Sequence, residues 1–369
     1  LAGPHMPYMP TVSDLGSVET WGNIGVIFLM FTLGIEFSFK KIMKMGSSPI
    51  IAAVTIISAM SMLGSLLGHA FGWGRMDSLF LGGMLAMSST TIIYKAFDDL
   101  GLRSQKFASN VLSVLVLEDI LGILLMVILS TLAVSKDFDG MTVVDSLMRL
   151  LFYLALLFLV GVFVVPLILR KNRRWIGKET LLVVSVGFCF AMVVLAVKLG
   201  YSAAFGAFMM GSIFAETVEA ETIEKIVSPV KDLFGAVFFV SLGMLVDPAI
   251  LTQYWLPILL ITLTILAGQA VFGSFGFILS GQSLKGALQS GFSMAQIGEF
   301  AFIIASLGMS LHVISGFIYP IVVAVSVITT FLTPYMIKSA PAAYGLVRRI
   351  TPARLMAVLD KQPSQHKAA

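Results

Sequence analysis

The stretch between Lys106 and Lys136 constrains the fold of this chain more than any other feature. Its only charged side chains are two adjacent carboxylates near the middle, Glu118 and Asp119. A helix rises about 1.5 Å per residue, so the stretch exceeds the ~30 Å hydrocarbon core of a bilayer and carries both acids near mid-membrane depth. An ionisable group there costs roughly 2.5–3.5 kcal/mol to insert and commonly marks an ion or proton pathway. The stretch predicts a membrane-spanning helix with a functional acid pair.

The composition excludes a water-soluble globular domain. Of the 369 residues, 58% are hydrophobic and 12% are charged, and the mean hydropathy is +0.97. The net charge of +4 comes from basic loops between apolar runs, so we expect no nucleic-acid partner. The single cysteine, Cys189, cannot form an intrachain disulfide, and no histidine has a second ligand at metal-binding spacing. Neither a cofactor nor a bound metal, beyond a transported ion, is expected.

Apolar runs of about 17–25 residues recur along the chain and predict an all-α polytopic membrane protein with about 11 visible transmembrane helices. Their centres lie near Phe28, Met60, Leu85, Leu121, Phe158, Cys189, Phe208, Phe239, Ile265, Ala301 and Val323. Residues 1–337 are therefore predicted to form a transmembrane domain, and residues 338–369 a basic cytoplasmic tail.

The loop charges predict the orientation. With alternate loops on opposite sides, twenty of the 24 Lys and Arg residues fall on one face. The positive-inside rule makes that face cytoplasmic, together with the C-terminus, and the protein is expected in a bacterial inner membrane. The chain begins with an apolar fragment and Gly3-Pro4-His5 rather than a signal peptide. Two explanations remain open: an upstream helix is missing, or residues 3–6 are a remnant of cloning.

The third predicted span contains four consecutive hydroxyl residues near its middle. Two interpretations remain open: an ordinary helix in which the hydroxyls bond to carbonyls of the preceding turn, or an unwound crossing whose oxygens coordinate a cation. The residues are Ser88, Ser89, Thr90 and Thr91.

The tenth predicted span carries the only charge between Lys285 and Lys338, namely Glu299. Gly298 weakens this helix, and Gln296 and Glu299, three residues apart, share one face that is expected to turn inward. A second interrupted crossing is therefore predicted here. The two interrupted spans occupy comparable places in the two halves of the chain, as inverted repeats with binding at the midplane do.

With these features the chain resembles the monovalent cation:proton antiporter superfamily, and most closely its glutathione-gated potassium-efflux branch. Besides the acid pair and the hydroxyl run, the matching stretches are 3–5 (GPH), 31–37 (FTLGIEF), 238–247 (FFVSLGMLVD) and 298–302 (GEFAF). The resemblance implies an inverted-repeat antiporter fold with two crossing discontinuous helices, an elevator mechanism and a homodimer. It also implies that Asp119 alternately holds a proton or the cation, with Glu118 as its acidic neighbour.

Two positions depart from the family pattern. The first acid is Glu118 rather than Asp, Asn or Gln, and it can itself titrate. In many members a Lys or Arg pairs with the acids, but no charge lies between Pro248 and Leu284, where Gln269 takes that place. We therefore expect Glu118 and Asp119 to titrate as a coupled pair, and both electrogenic and electroneutral exchange remain open.

The sequence favours a secondary transporter that exchanges Na⁺ or K⁺ for protons by alternating access, and not an enzyme. The alternative within transport is a gated potassium-efflux channel without strict proton coupling. An intramembrane aspartic hydrolase is disfavoured because side chains at i and i+1 of a helix diverge by about 100°. A purely structural or sensory protein would leave the buried acids without a role. ATP-driven pumping is disfavoured because the sequence has no Gly-rich phosphate-binding loop.

Overall fold

The part of the chain that the structure describes is helical, with turns between the helices. The computed structural model describes residues 14–36, 46–134, 177–199, 202–244 and 248–352, with isolated positions 148, 161, 163, 165, 167 and 356. No strand occurs within these ranges, which confirms the all-α class.

Fourteen α-helices and one π-helical segment make up these ranges. In chain order they are α1 (Leu15–Glu36), α2 (Ser47–Ala70), α3 (Arg75–Leu85), α4 (Thr90–Asp99), α5 (Lys106–Val134), α6 (Lys178–Lys198), α7 (Ala203–Ala215), α8 (Ala220–Met244), α9 (Pro248–Gln253), α10 (Trp255–Gly268), the π segment (Gln269–Gly273), α11 (Ser274–Leu279), α12 (Leu284–Ser293), α13 (Glu299–Ser310) and α14 (Ile318–Ile350).

Seven stretches of the described chain are long and apolar enough to cross a membrane. The shorter helices α7 and α13 are also apolar. Ten of the eleven predicted span centres fall within described helices, and the remaining one, Phe158, lies outside the described residues. The membrane-protein class is therefore confirmed, but the count of eleven stays a prediction.

The chain divides into two units, and the first is formed by Leu1–Lys41 and Val127–Pro248. Within it, α1 packs against α7 and α8. The contact with α7 depends on two glycines, since a Cβ on Gly34 would lie only 2.9 Å from the Cα of Gly211. The rings of Phe28 and Phe234 stack with centroids 4.9 Å apart between α1 and α8. Small residues thus allow close helix packing, as is common in membrane proteins.

The second unit, Ile42–Met126 and Ala249–Ala369, contains every candidate site residue. Here α2 packs closely on α3, where a Cβ on Gly64 would lie 2.8 Å from the Cα of Gly82. The buried Asp77 carboxylate, in the first turn of α3, accepts hydrogen bonds from the Ser315 amide (2.7 Å) and hydroxyl (2.8 Å) just before α14. Packing and hydrogen bonds thus fix α3 against α2 and against the turn that precedes α14.

Candidate functional site

Two helices of the second unit are interrupted at buried positions. The first interruption, 86–89, separates α3 from α4; Ser89 there has an extended backbone, and its hydroxyl caps α4 by accepting from the Ile92 amide at 3.3 Å. The second, 294–298, separates α12 from α13, and Gly298 is likewise extended. The prediction of two discontinuous helices is confirmed. Of the four hydroxyl residues, Ser88 and Ser89 lie in the interruption, and Thr90 and Thr91 are the first residues of α4.

The two interruptions cross in direct contact. The Gly298 amide donates to the Met87 carbonyl at 2.8 Å, and the Gln296 side-chain amide donates to the Ser89 carbonyl at 3.1 Å. Ser88 Oγ donates to the Met294 carbonyl at 3.3 Å. These bonds occupy backbone groups that the missing helical turns would otherwise leave unpaired in an apolar environment.

Glycine is required at the crossing because the two backbones nearly touch. A Cβ on Gly298 would overlap the Ser88 carbonyl group and lie 2.7 Å from the Ser89 nitrogen. A second glycine, Gly122 of α5, faces the same region: its Cβ would lie 2.8 Å from Met87 Sδ and 3.2 Å from the Phe300 ring. The acid-bearing helix therefore packs against both interrupted helices.

The adjacent carboxylates of α5 have different surroundings. Glu118 is 1% exposed, and its Oε2 accepts from the Ser88 amide at 3.3 Å, an amide freed by the first interruption. Asp119 is half-buried, and its Oδ2 accepts from Thr90 Oγ1 at 3.2 Å. Because Thr90 begins α4, the Asp119 carboxylate lies at the positive end of that helix dipole, which favours a negative charge.

A third carboxylate lies beside the second hydroxyl of α4. Thr91 Oγ1 donates to Glu299 Oε1 at 3.4 Å, and Glu299 is half-buried at the first position of α13. The start of a helix again favours the negative charge. The predicted hydroxyl run thus contributes at least one hydrogen bond to each of the three acids.

Gln269, predicted to replace a family Lys or Arg, lies in the same cluster. It begins the π segment, is fully buried, and its Nε2 donates to Ser88 Oγ at 3.5 Å. Single π turns within α-helices are frequent at functional sites. A Cβ on Gly273 of this segment would lie 2.9 Å from the Cα of Gly291, so the segment packs closely on α12.

Two further residues of the site were not predicted from the sequence. Thr329 Oγ1 accepts from the Ile297 amide at 3.4 Å, and Ser326 Oγ donates to the Ile297 carbonyl at 3.3 Å. The two residues lie in α14. Together they bind the backbone amide and the backbone carbonyl of Ile297 in the second interruption. Their three-residue spacing within an apolar span is a signal that could have revealed them, since such spacing places both on one helix face.

One buried and two half-buried acids at the crossing of two interrupted helices, in a chain with several helices long and apolar enough to cross a membrane, define the class of ion-coupled secondary transporters. The sequence profile of the family described as the transmembrane region of sodium/hydrogen exchangers matches residues 1–340. The chain therefore belongs to the sodium/hydrogen exchanger family, whose members are transporters rather than enzymes.

Similar proteins agree with this assignment. A protein named K⁺/H⁺ antiporter subunit KhtU, from Bacillus subtilis, is 30% identical over 95% of this chain and 87% of its own length. An Enterococcus hirae protein named Na⁺/H⁺ antiporter is 28% identical, over 87% of this chain and 84% of its own. The chain spans only 57–61% of the length of three other curated relatives.

A solved structure shares the fold. The sodium proton antiporter MjNhaP1 from Methanocaldococcus jannaschii superposes with a TM-score of 0.65, over 91% of this chain and 87% of that one. The identity is 16%, so this similarity supports the fold alone. The antiporter fold implied by the sequence is thereby confirmed.

Proposed function

We propose that this chain exchanges a monovalent cation, Na⁺ or K⁺, for protons across the membrane, and that Asp119 is the carboxylate that alternately holds the proton and the cation. The observation that carries the proposal is the position of Asp119, half-buried beside the crossing of two interrupted helices. Family membership and the names of the similar proteins support the same activity.

The chemistry of exchange follows from one partly buried charge. An ionised Asp119 is costly to move through a low-dielectric environment, and either a proton or a dehydrated cation neutralises it. The two ligands therefore compete for one carboxylate. Alternating access exposes the site first to one side of the membrane and then to the other. Competition becomes exchange if the site changes sides slowly while it is ionised and empty.

Oxygen atoms of the Thr90 hydroxyl and of the helix crossing suit a dehydrated alkali cation. The Thr90 hydroxyl bonds to the carboxylate, and the interruptions bring the carbonyl groups of Met87, Ser89 and Met294 into the crossing. Carbonyl and hydroxyl oxygens can replace the hydration shell of Na⁺ or K⁺, and the choice between the ions depends on cavity size and ligand field. We propose Ser88, Ser89, Thr91, Gln296, Gly298 and Glu299 as residues that coordinate the ion or hold the helix crossing.

Several further features belong to the same proposal. We place the membrane domain at residues 1–337 and a basic cytoplasmic segment at 338–369, in a bacterial inner membrane, with the active form a homodimer that works by an elevator motion. The described helix α14 extends to Ile350, so the proposed boundary falls within a helix that ends in Arg348 and Arg349. Basic residues at that end fit a cytoplasmic location.

The test is proton flux in proteoliposomes containing a pH-sensitive dye, with Na⁺ and then K⁺ added. Asp119→Asn is compared with wild type and with the matched control Asp98→Asn, which changes an exposed carboxylate at the end of α4. We expect a cation-dependent proton signal in wild type and the control, and none in Asp119→Asn. Full activity in Asp119→Asn would show that Asp119 is not part of the mechanism. K⁺ movement without a proton signal would favour the alternative function, a gated potassium-efflux channel.

A further inference from the structure

Three buried oxygen atoms around the first interruption lack hydrogen-bond partners. They are Glu118 Oε1, Gln269 Oε1 and Gln296 Oε1, and all three side chains are at most 1% exposed. Each side chain bonds through its other terminal atom to Ser88 or Ser89. The three unpaired oxygens therefore lie around one two-residue segment.

The hydrogen-bond network fixes which amide atom of each glutamine is the oxygen. Gln296 faces the Ser89 carbonyl, which only accepts, so the contacting atom must be the nitrogen. Ser88 Oγ uses its proton to donate to the Met294 carbonyl, so it can only accept from Gln269. Both unpaired glutamine atoms are therefore acceptors, and the cluster needs a donor.

Among the described residues, no Lys or Arg side chain forms an ion pair with Glu118. The chain from Pro248 to Leu284 has no charge, and the acids nearest in the fold, Asp119 and Glu299, are themselves negative when ionised. The other charged residues described in this unit are Arg75 and Asp77 in the first turn of α3, Lys95, Asp98 and Asp99 in the last turns of α4, Arg103 in the turn that follows, Lys106 at the start of α5, Lys285 in the first turn of α12, Lys338 in the second half of α14, and Arg348 and Arg349 in its last turn. An ionised Glu118 would thus be a fully buried charge without a cationic partner, which is strongly unfavourable.

In place of the coupled titration expected from the sequence, we infer that Glu118 keeps a proton throughout the transport cycle and donates it to one of the two glutamine oxygens. The carbonyl oxygen of the neutral acid accepts from the Ser88 amide, and the O–H supplies the donor that the cluster lacks. Glu118 is then a positioning residue, which holds the Ser88–Ser89 segment beside Asp119 and does not carry the exchanged proton.

The consequence for transport rests on the proposed function. If Asp119 alone titrates, one proton is released for each cation bound, and the site crosses as a neutral carboxylic acid or a neutral ion pair. The exchange is then one for one and does not respond to membrane potential. A second exchanging proton on Glu118 would instead make the exchange electrogenic.

Two variants separate the roles. Glu118→Gln keeps an acceptor for the Ser88 amide and a donor for the glutamine oxygens, so we expect exchange within about threefold of wild type and an unshifted pH profile. Glu118→Leu has neither group, and we expect at least a tenfold loss, corresponding to about 1.4 kcal/mol. Inactive Glu118→Gln that elutes as a folded protein would overturn the inference. So would wild-type exchange that follows a membrane potential imposed with a gradient of a permeant anion such as thiocyanate, at equal Na⁺, K⁺ and pH on both sides.

Infrared spectroscopy tests the protonation state without requiring transport. We expect detergent-solubilised wild type at neutral pH to give a protonated-carboxyl C=O band that is missing from Glu118→Gln and retained in the exposed-acid control Asp98→Asn. Identical wild-type and Glu118→Gln spectra would refute a protonated Glu118. If the band is present but no cation drives proton flux, the proposed function fails while the protonation of Glu118 stands.

Discussion

The crossing of the two interruptions can be tested with one methyl group. Gly298→Ala places a Cβ where the backbone of the other interruption already lies, 2.5 Å from the Ser88 carbonyl carbon and 2.7 Å from the Ser89 nitrogen. Ordinary van der Waals contacts fall at 3.4–4 Å, so the two segments must separate by about 0.7–0.9 Å. Neither neighbour is the end of a side chain that could rotate away.

The separation affects hydrogen bonding as well as packing. The bond from the Gly298 amide to the Met87 carbonyl, now 2.8 Å, would lengthen to about 3.6 Å and be lost. Overpacking costs about 1–3 kcal/mol, and a lost hydrogen bond about 0.5–1.5 kcal/mol. We therefore expect Gly298→Ala to lower the free energy of unfolding by about 1.5–4.5 kcal/mol and to impair exchange, since the site oxygens move apart.

Thermal unfolding in detergent and proton flux in proteoliposomes measure the two effects together. Gly187→Ala is the matched control, because it makes the same change inside α6 where nothing lies within 4 Å of the new Cβ. Alanine is the better helix former, so the control should be as stable as wild type or slightly more stable. If Gly298→Ala unfolds at the control's temperature and transports normally, the close crossing does not exist.

Four further substitutions test three separate contacts. Asp77→Asn replaces one of two acceptors for Ser315 with a donor, and we expect a loss of about 1–3 kcal/mol in unfolding free energy, measured by denaturation, with Ser315→Ala less affected. Thr90→Val removes the hydroxyl bonded to Asp119, so the half-saturating cation concentration in the flux assay should rise about 2- to 10-fold; an unchanged value would show that the hydroxyl does not support binding. Gly34→Ala forces α1 away from the α7 backbone and should reduce the yield of folded protein in size-exclusion chromatography, which a normal yield would contradict.

Hydropathy predicted span centres that fall within helices in ten of eleven cases, and the eleventh lies outside the described residues. The prediction that Glu118 and Asp119 lie near mid-membrane depth came from the length of one apolar stretch, and α5 is the helix expected there. The interruptions were predicted less precisely. A run of hydroxyl residues indicates that a helix is weakened, but it does not show where the next helix begins. Here Ser89 caps α4, which begins at Thr90, two residues earlier than it would if all four hydroxyl residues were unwound.

The contacts between the interruptions could not be predicted from local sequence. Gln296 and Ser89 are 207 positions apart, and their hydrogen bond depends on how two helices cross. The π segment that carries Gln269 is similarly set by packing, since no Pro or charge marks it in the sequence. Ser326 and Thr329 were missed because a hydroxyl in an apolar helix usually bonds within its own helix, and their partner, Ile297, is apolar.

The different environments of the two acids follow from helix geometry. Adjacent residues on α5 point about 100° apart, so one side chain can enter the packed crossing while its neighbour lies on a more accessible face. Glu118 is directed to the Ser88 amide and is buried, whereas Asp119 is bonded to the first hydroxyl of α4 and is half-buried. A carrier must exchange its ligand with water, which favours Asp119. A group that holds a backbone segment in place must keep its partners, which favours Glu118.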